Sequence, residues 1–243
     1  MRYTTDYEEH RTLADGTRLV LRMVRPTDKA ALADGLARLS ERTRYQRFMA
    51  PKNSFTDAEL AFLTEVDGED HLAIVAGHER PGAEPDGIGV GRVVRLEDDP
   101  ETAELGIVVA DAWQHRGIGR LLLERVVAAA AERGIRRIRA QVMADNSQVL
   151  GLLKDYLADS QRHTDHGVLT LEFPIPEQNP DDAVDALLNL IRAVAQGVAI
   201  TPDLISELAA HPVDSVVSLV SRLTRTVNQP LSSESDSARE RDS

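Results

Sequence analysis

The segment from Ala103 to Leu122 has the residue types and spacing of an anion-binding turn. An apolar run ends near Ala110, and Gly117 and Gly119 then precede a second apolar run. Glycine lets the backbone approach a ligand closely, and the free N–H groups at the start of a helix attract anions. The pattern therefore predicts a strand, a turn and a helix whose first residues bind a phosphate or pyrophosphate group.

Two arginines, Arg116 and Arg120, add positive charge to this turn. Other phosphate-binding motifs do not match it. A dinucleotide fingerprint needs a third glycine where Leu122 stands, and no Gly-Lys-Ser/Thr follows as in a P-loop. By itself the glycine pair is also compatible with a tight strand-to-helix turn that binds nothing.

Strands and helices alternate around this turn. Hydrophobic periodicity distinguishes the strands from the helices, and turn residues mark where each element ends. The predicted strands cover residues 17–24, 71–77, 88–96, 103–110, 136–142 and 167–175, with a turn over 81–87. The predicted helices cover residues 29–39, 40–48, 117–133 and 147–157, with a further one starting at Thr56.

A proline-rich boundary ends this first domain, which we place at residues 10–176. Apolar stripes at helical spacing predict an amphipathic helical extension over residues 180–227. Residues 228–243 are rich in serine and charge, which is typical of a disordered tail. The stripes must be buried against each other, the first domain or a second copy, so we consider a homodimer through these helices.

The composition excludes several classes of protein. The net charge of −12 argues against a nucleic-acid binder, and the absence of cysteine excludes a thiolate nucleophile and cysteine-ligated metals. No signal peptide or membrane-spanning run is recognisable, so we expect a cytoplasmic protein without a membrane partner. Residues 51–110 hold 14 acids against 4 bases, which is either a solvated face or a surface that attracts a cationic partner.

The motif Gln114-x-x-Gly117-x-Gly119 after an apolar strand resembles the acyl-CoA-binding motif of the GNAT-type N-acetyltransferases. The element order over residues 17–175 is similar to that fold as well. The resemblance implies an α+β GNAT fold, with a central mixed, mostly antiparallel sheet flanked by helices and followed here by an all-helical extension. Arg25-Pro26-x-Asp28, Leu39-Ser40-Glu41 and Arg44-Tyr45-x-Arg47-Phe48 resemble the catalytic domain of bacterial Pat-type protein lysine acetyltransferases.

This resemblance implies a role for each matching residue. Glu104 corresponds to the strand glutamate that removes a proton from the amine, and the backbone N–H near Val109 would meet the thioester oxygen. Arg44, Tyr45, Arg47 and Phe48 would form a lid over the acceptor. Acetyl-CoA would be held by Ile107, Val108, Val109, Gln114, His115, Arg116, Gly117, Ile118, Gly119, Arg120 and Asn146.

The helix after Asn146 departs from the family pattern. Leu153 stands where these enzymes usually have the tyrosine that protonates the CoA thiolate, so Tyr156 would substitute only if the helix is rotated. A thiolate whose thiol has a pKa of about 8.5 can leave without full protonation.

Three functions remain open from the sequence. The leading hypothesis is direct acetyl transfer, without a metal, from acetyl-CoA to a primary amine, with a protein lysine as the favoured acceptor. The second is an acetyltransferase for a small amine such as a polyamine or an aminosugar. The third is a catalytically weak, acetyl-CoA-binding regulatory module.

Overall fold

The computed structural model describes residues 1–157 and 160–175. Eight strands form one sheet, in the order β1-β2-β3-β4-β5-β6-β8-β7. The strands are β1 (Glu8–Thr12), β2 (Arg18–Met23), β3 (His71–Arg80), β4 (Ala83–Arg95), β5 (Thr102–Val109), β6 (Arg137–Met143), β7 (Gln161–Asp165) and β8 (Val168–Pro174). The helices are α1 (Lys29–Arg38), α2 (Glu41–Phe48), α3 (Asp57–Thr64), α4 (Ile118–Ala131) and α5 (Ser147–Leu152).

All neighbouring strands are antiparallel except β5 and β6, which are parallel. A parallel pair cannot be joined by a hairpin and needs a crossover, which α4 provides here. The parallel pairing is short, because it runs from Thr102 opposite Arg137 only to Leu105 opposite Ala140. Beyond this point β5 stays paired with β4 and β6 stays paired with β8, so the sheet opens between β5 and β6.

The helices cover both faces of the sheet. A Cβ atom at Gly91 of β4 would lie 3.1 Å from Val126 of α4, whereas one at Gly106 of β5 would collide with Arg47 of α2. Gly91 lies opposite Ile107, and Arg92 lies opposite Gly106. Since side chains alternate between faces along a strand, α4 packs on one face and α2 on the other.

Local sequence explains where these helices begin. Ser40 caps α2 by accepting a hydrogen bond from the N–H of Thr43, at 3.2 Å. Thr56 and Glu59 form a reciprocal capping box at the start of α3. Gly117 precedes α4 with φ +84°, a left-handed conformation that glycine adopts without steric cost.

Three features of the sheet differ from the sequence-based expectation. The segment 83–87, expected as part of a turn, belongs to β4, and Pro85 is accommodated beside register shifts in the pairing with β3. The outer strands β1 and β7 are not predicted by the sequence pattern. Both are edge strands made only of polar residues, EEHRT and QRHTD, so neither shows the apolar–polar alternation in sequence that marks a half-buried strand.

Several expectations concern residues outside the described ones. These are the helical extension over residues 180–227, the tail over 228–243 and a homodimer built on those helices. In the ranges 1–157 and 160–175, no helix has the length and apolar character required to cross a membrane.

Candidate functional site

A cleft of about 560 Å³ lies where β5 and β6 separate. Its walls come from β5, β6, the turn before α4, the start of α5 and one side of α2. Since β6 leaves β5 after Leu105, the backbone of β5 from Gly106 onward has one edge without a strand partner among residues 1–157 and 160–175. An extended ligand can therefore lie along β5 as an added strand would.

The first turn of α4 closes one end of this cleft. The N–H of Leu121 bonds to the carbonyl of Gly117, so the three N–H groups before it precede the hydrogen-bonded part of the helix. A Cβ atom at Gly119 would lie 3.6 Å from Leu152 and 3.8 Å from Val109, on the cleft side of the helix. This arrangement suits a phosphate group, because free N–H groups and the helix dipole both favour an anion.

Most of the residues expected to hold acetyl-CoA are brought together in this cleft. Those that line it are Ile107, Val108, Val109, Gln114, His115, Gly117, Gly119, Arg120 and Asn146. The Gln114 side-chain amide donates to the carbonyl of Val109 at 3.0 Å, which fixes the turn to the end of β5. His115 meets the side chain of Gln148 at 2.6 Å, which connects the turn to α5.

The side chains of two expected residues lie outside the cleft lining. Arg116 binds the carboxylate of Asp15 and the hydroxyl of Thr17 at 2.8 Å, and its guanidinium lies 4.6 Å from the centre of the Trp113 ring. Ile118 is buried in the core. The Ile118 side chain is therefore closed off from a phosphate, and the Arg116 side chain is engaged with Asp15 and Thr17.

Arg120 keeps its place at the cleft but is already paired. It donates to Glu124 at 2.9 Å and lies 3.2 Å from Asp155, and the hydrogen bond to Glu124 raises the pKa of its guanidinium. All the groups in this interaction are at least partly exposed, so the pairing is weak enough for a phosphate to compete with it.

The start of α5 places Asn146 against the cleft. Its side chain is only 6% exposed, and its carbonyl oxygen caps α5 by accepting from the N–H of Val149 at 3.2 Å. Leu153, which replaces the usual tyrosine, is 1% exposed and also lines the cleft. Tyr156 is not among the lining residues: its ring packs 4.8 Å from that of Phe173, and burial raises the pKa of its hydroxyl.

Glu104 lies on the face of β5 that carries α2. By the alternation of β5 it shares this face with Gly106 and Val108, and it is exposed. Its strand neighbours are Val94 on β4 and Arg139 on β6. It does not line the cleft, so an amine must approach from the α2 side to reach it.

A second cavity, of about 130 Å³, lies on this α2 face, and Glu104 is outside its lining as well. Leu36, Leu39 and Phe48 form part of its apolar wall. Arg47 and Val108 line both this cavity and the cleft. The two spaces therefore adjoin at these two residues.

The four residues expected as an acceptor lid have different surroundings. Arg47 and Phe48 line the second cavity, and the Phe48 ring packs against Phe55 at 5.7 Å. Tyr45 is 46% exposed, and Arg44 lines neither space. The four therefore do not form one continuous cover.

The acids of the block 51–110 are largely engaged within the chain. Glu59 pairs with Lys52, Glu65 with Lys29 at 2.5 Å, and Asp70 with Arg95 at 2.6 Å. Asp67 accepts three backbone N–H bonds. Of the two interpretations of the acidic block 51–110, these contacts favour a solvated face over a surface that attracts a cationic partner.

Some residues that line the cleft and the second cavity were not predicted by the sequence analysis. Thr43, Gln46 and Gln148 line the cleft, and Arg92 lines the second cavity. Gln148 could have been predicted, because it lies only two residues after Asn146, which was already an expected site residue. Arg92 could also have been noticed, because it is a charged residue within the apolar run that forms β4.

Comparisons with known proteins agree with this geometry. A family model described as an acetyltransferase (GNAT) domain matches residues 18–156. The acetyltransferase Pat of Mycolicibacterium smegmatis is 32% identical over 184 residues, which are 72% of this chain and 54% of that protein. The chain thus spans about half the length of this curated relative.

Two solved structures are also similar. The GNAT domain of S. lividans PAT matches with a TM-score of 0.62 and 29% identity, over 71% of this chain and 99% of that one. The yncA protein of Salmonella typhimurium, solved with its cofactor acetyl-CoA, matches with a TM-score of 0.50 and 18% identity, over 67% of this chain and 98% of that one. The second likeness is one of fold alone. The expected GNAT fold is confirmed, and the chain belongs to the GNAT acetyltransferase family.

Proposed function

We propose that this protein transfers the acetyl group of acetyl-CoA to a primary amine, with a protein lysine side chain as the favoured acceptor. The observation that carries the proposal is the cleft between β5 and β6, which ends at the first turn of α4 and adjoins a second cavity at Val108. Membership of the GNAT family supports the donor, and the resemblance of residues 44–48 to Pat-type enzymes supports the lysine.

The residues of the cleft fit acetyl-CoA at both ends. The N–H groups before Leu121 and the nearby Arg120 suit the pyrophosphate, and the free edge of β5 suits the pantetheine arm. In the proposed arrangement the backbone N–H near Val109 faces the thioester oxygen. There it stabilises the negative charge that develops as the amine attacks.

An ammonium group must lose a proton before its nitrogen can attack. The nitrogen of the neutral amine then bonds to the thioester carbon and releases its second proton to water, the carbon–sulfur bond breaks, and CoA leaves as the thiolate. Glu104 is the proposed base, since it shares a face of β5 with Gly106 and Val108 and is accessible from the α2 side. Leu153 has no proton to donate to the CoA thiolate. We therefore propose that the thiolate leaves unprotonated.

One experiment separates this proposal from the alternatives. Acetyl-CoA is titrated into the full chain by calorimetry, and thiol release is then measured with and without an amine. Binding with amine-dependent release supports the transferase. Binding without release under any amine supports a regulatory module, and absence of binding contradicts the proposed donor.

The acceptor is tested by comparing values of kcat/KM. A lysine-containing protein such as an acyl-CoA synthetase is compared with spermidine and with an aminosugar. A higher value for the protein supports the lysine acceptor, whereas a higher value for a small amine replaces it with the second hypothesis and leaves acetyl transfer intact.

A further inference from the structure

The second cavity has an unusual balance of charge for a buried space. Its ionised lining groups are Arg22, Arg47, Arg92 and Asp28. Asp28 is already engaged, because it accepts bonds from both terminal nitrogens of Arg22 at 2.8 Å and from the backbone N–H of Arg25 at 2.8 Å. Two guanidinium groups, Arg47 and Arg92, are left without a carboxylate partner in the cavity.

Arg92 is 5% exposed and lies three residues before the end of β4. It donates to the carbonyl of Leu63 at 2.9 Å and contacts Nε2 of His71 at 2.5 Å. Burial, reinforced by the charge of Arg92, lowers the pKa of His71 to about 4, so this histidine is neutral and brings no negative charge to Arg92. Among the described residues, no carboxylate oxygen lies within 4.0 Å of Arg92.

Arg47 reaches the same place from α2. Its guanidinium lies against Gly106, the residue directly opposite Arg92 across the β4–β5 pair. In the described part of the chain Arg47 makes no hydrogen bond or ion pair, and its ring contact is with Phe48, 5.3 Å away. Burial lowers its pKa, and the charge of Glu104 opposes this from beyond ion-pair distance.

The two cations therefore line the same cavity, and the charge of Arg47 disfavours the charged form of Arg92. Burial first, and then the charge of Arg47, lowers the pKa of Arg92 to about 9. A guanidinium offers five N–H donors in a planar fork that matches a carboxylate. Buried charges are normally paired, because leaving one unpaired is costly. A ligand carboxylate would satisfy the donors and relieve the repulsion.

Resting on the proposed function, we infer that the second cavity binds a carboxylate of the acceptor, so that the preferred substrate presents an amine together with a nearby carboxylate. Arg47 and Arg92 form the anion site, and the apolar wall accommodates the carbon chain between the two groups. In a peptide the carboxylate belongs to an acidic residue beside the lysine, and in a small amine it belongs to an amino acid.

The kinetic test uses acceptor pairs that differ in one carboxylate. The first pair is a capped Glu-Lys dipeptide and its Gln-Lys counterpart, and the second is Nα-acetyl-lysine and its α-amide. We expect kcat/KM to be about 10- to 100-fold higher for the carboxylate form of one pair, the value typical of a charge-assisted hydrogen bond. Equal values in both pairs overturn the inference and leave the transferase proposal standing.

Variants show whether the preference depends on the two arginines. Arg47→Gln and Arg92→Met should each bring the ratio close to one, while Arg95→Gln should retain it. Arg95 lies on the same strand and pairs with Asp70, outside the cavity. If Arg92→Met does not fold, Arg47→Gln alone still tests the preference. A preference that survives Arg47→Gln overturns the assignment.

A binding measurement is independent of acetyl transfer. The arginine Nε–H resonances of the ¹⁵N-labelled full chain are followed while propionate or, separately, propionamide is added. Propionate should shift the resonances of Arg47 and Arg92, and propionamide should not. Equal responses to both compounds, or none to either, mean that the two arginines do not select a carboxylate and overturn the inference.

Discussion

Ser40 and Asp111 connect the proposed acceptor side of the molecule to the proposed cofactor side. The backbone N–H of Ser40 donates to Asp111 at 2.9 Å, and its hydroxyl donates to the same carboxylate at 2.7 Å. Thr43 adds a third bond at 2.7 Å. Although burial opposes ionisation, these bonds outweigh it and hold the pKa of Asp111 below its usual value. The start of α2 is thereby fastened to the turn between β5 and α4.

This connection predicts an effect on the acceptor alone. Asp111→Ala removes all three bonds, so α2 loses its anchor and Arg47 and Phe48 lose their fixed position. We expect the KM for the amine to rise about tenfold, from the usual cost of lost charge-assisted bonds, while the dissociation constant of acetyl-CoA changes little. Steady-state kinetics and calorimetry check both, with exposed Asp98→Ala as the control. A selective loss of acetyl-CoA binding would contradict this role.

Gly119→Asp should abolish acetyl-CoA binding and leave the fold intact. An aspartate in the first turn is favourable for α4 itself, because it complements the helix dipole. The same charge opposes a phosphate, and we expect affinity to fall by at least about 100-fold, given that like charges cost several kcal/mol. Calorimetry measures the affinity and circular dichroism the fold. Gly119→Ala is the control, since its Cβ would make only ordinary contacts.

Glu104→Gln should reduce turnover without changing cofactor affinity. The amide keeps the size of the side chain but cannot accept the proton, so we expect kcat to fall by about 10²- to 10⁴-fold near neutral pH. Glu97→Gln, on an exposed loop after β4, is the matched control. Wild-type turnover in Glu104→Gln would mean that another group or water removes the proton.

Tyr156→Phe should leave turnover nearly unchanged. The ring packs against Phe173 and lies outside the cleft lining, so removal of the hydroxyl takes nothing from the reacting groups. We expect kcat within about threefold of wild type, well below the effect of losing a general acid. A loss of 100-fold or more would instead establish Tyr156 as the acid, as the sequence alone allowed.

The buried pair of Glu9 and Arg125 predicts a pH-dependent stability. Burial opposes ionisation of Glu9, but bonds from Arg125, Tyr7 and Arg11 outweigh it and lower its pKa to about 2 from 4.5. Since the folded state favours the carboxylate, this stabilisation is complete above pH 4.5 and is lost as the pH falls towards 2.

Glu9→Gln should therefore destabilise the protein by about 3 kcal/mol at neutral pH, because Arg125 keeps its charge without its partner. Below pH 4.5 the difference from wild type should shrink. Urea unfolding at a series of pH values measures it, and Glu8→Gln on the exposed side of β1 is the control. A difference that stays constant with pH would assign the effect to packing.

The strand-turn-helix segment was predictable from sequence because its determinants are local. Gly117 adopts a positive φ at the start of α4, and the apolar run before it forms β5, so neighbouring residues alone define the turn between them. The caps at Ser40 and Thr56 are local in the same way. The resemblance to the GNAT family extended this pattern to the order of the strands.

The tertiary structure alone decided which distant groups meet. Arg116 lies in the turn by sequence, yet its side chain binds Asp15 on the hairpin between β1 and β2. Arg47 and Arg92 are far apart in the chain and converge only because β4 pairs with β5 in one register and α2 packs on that face. Sequence periodicity reports the face on which a residue lies. It does not report the register of a strand pair or the docking of a helix, and these are set by packing across the whole sheet.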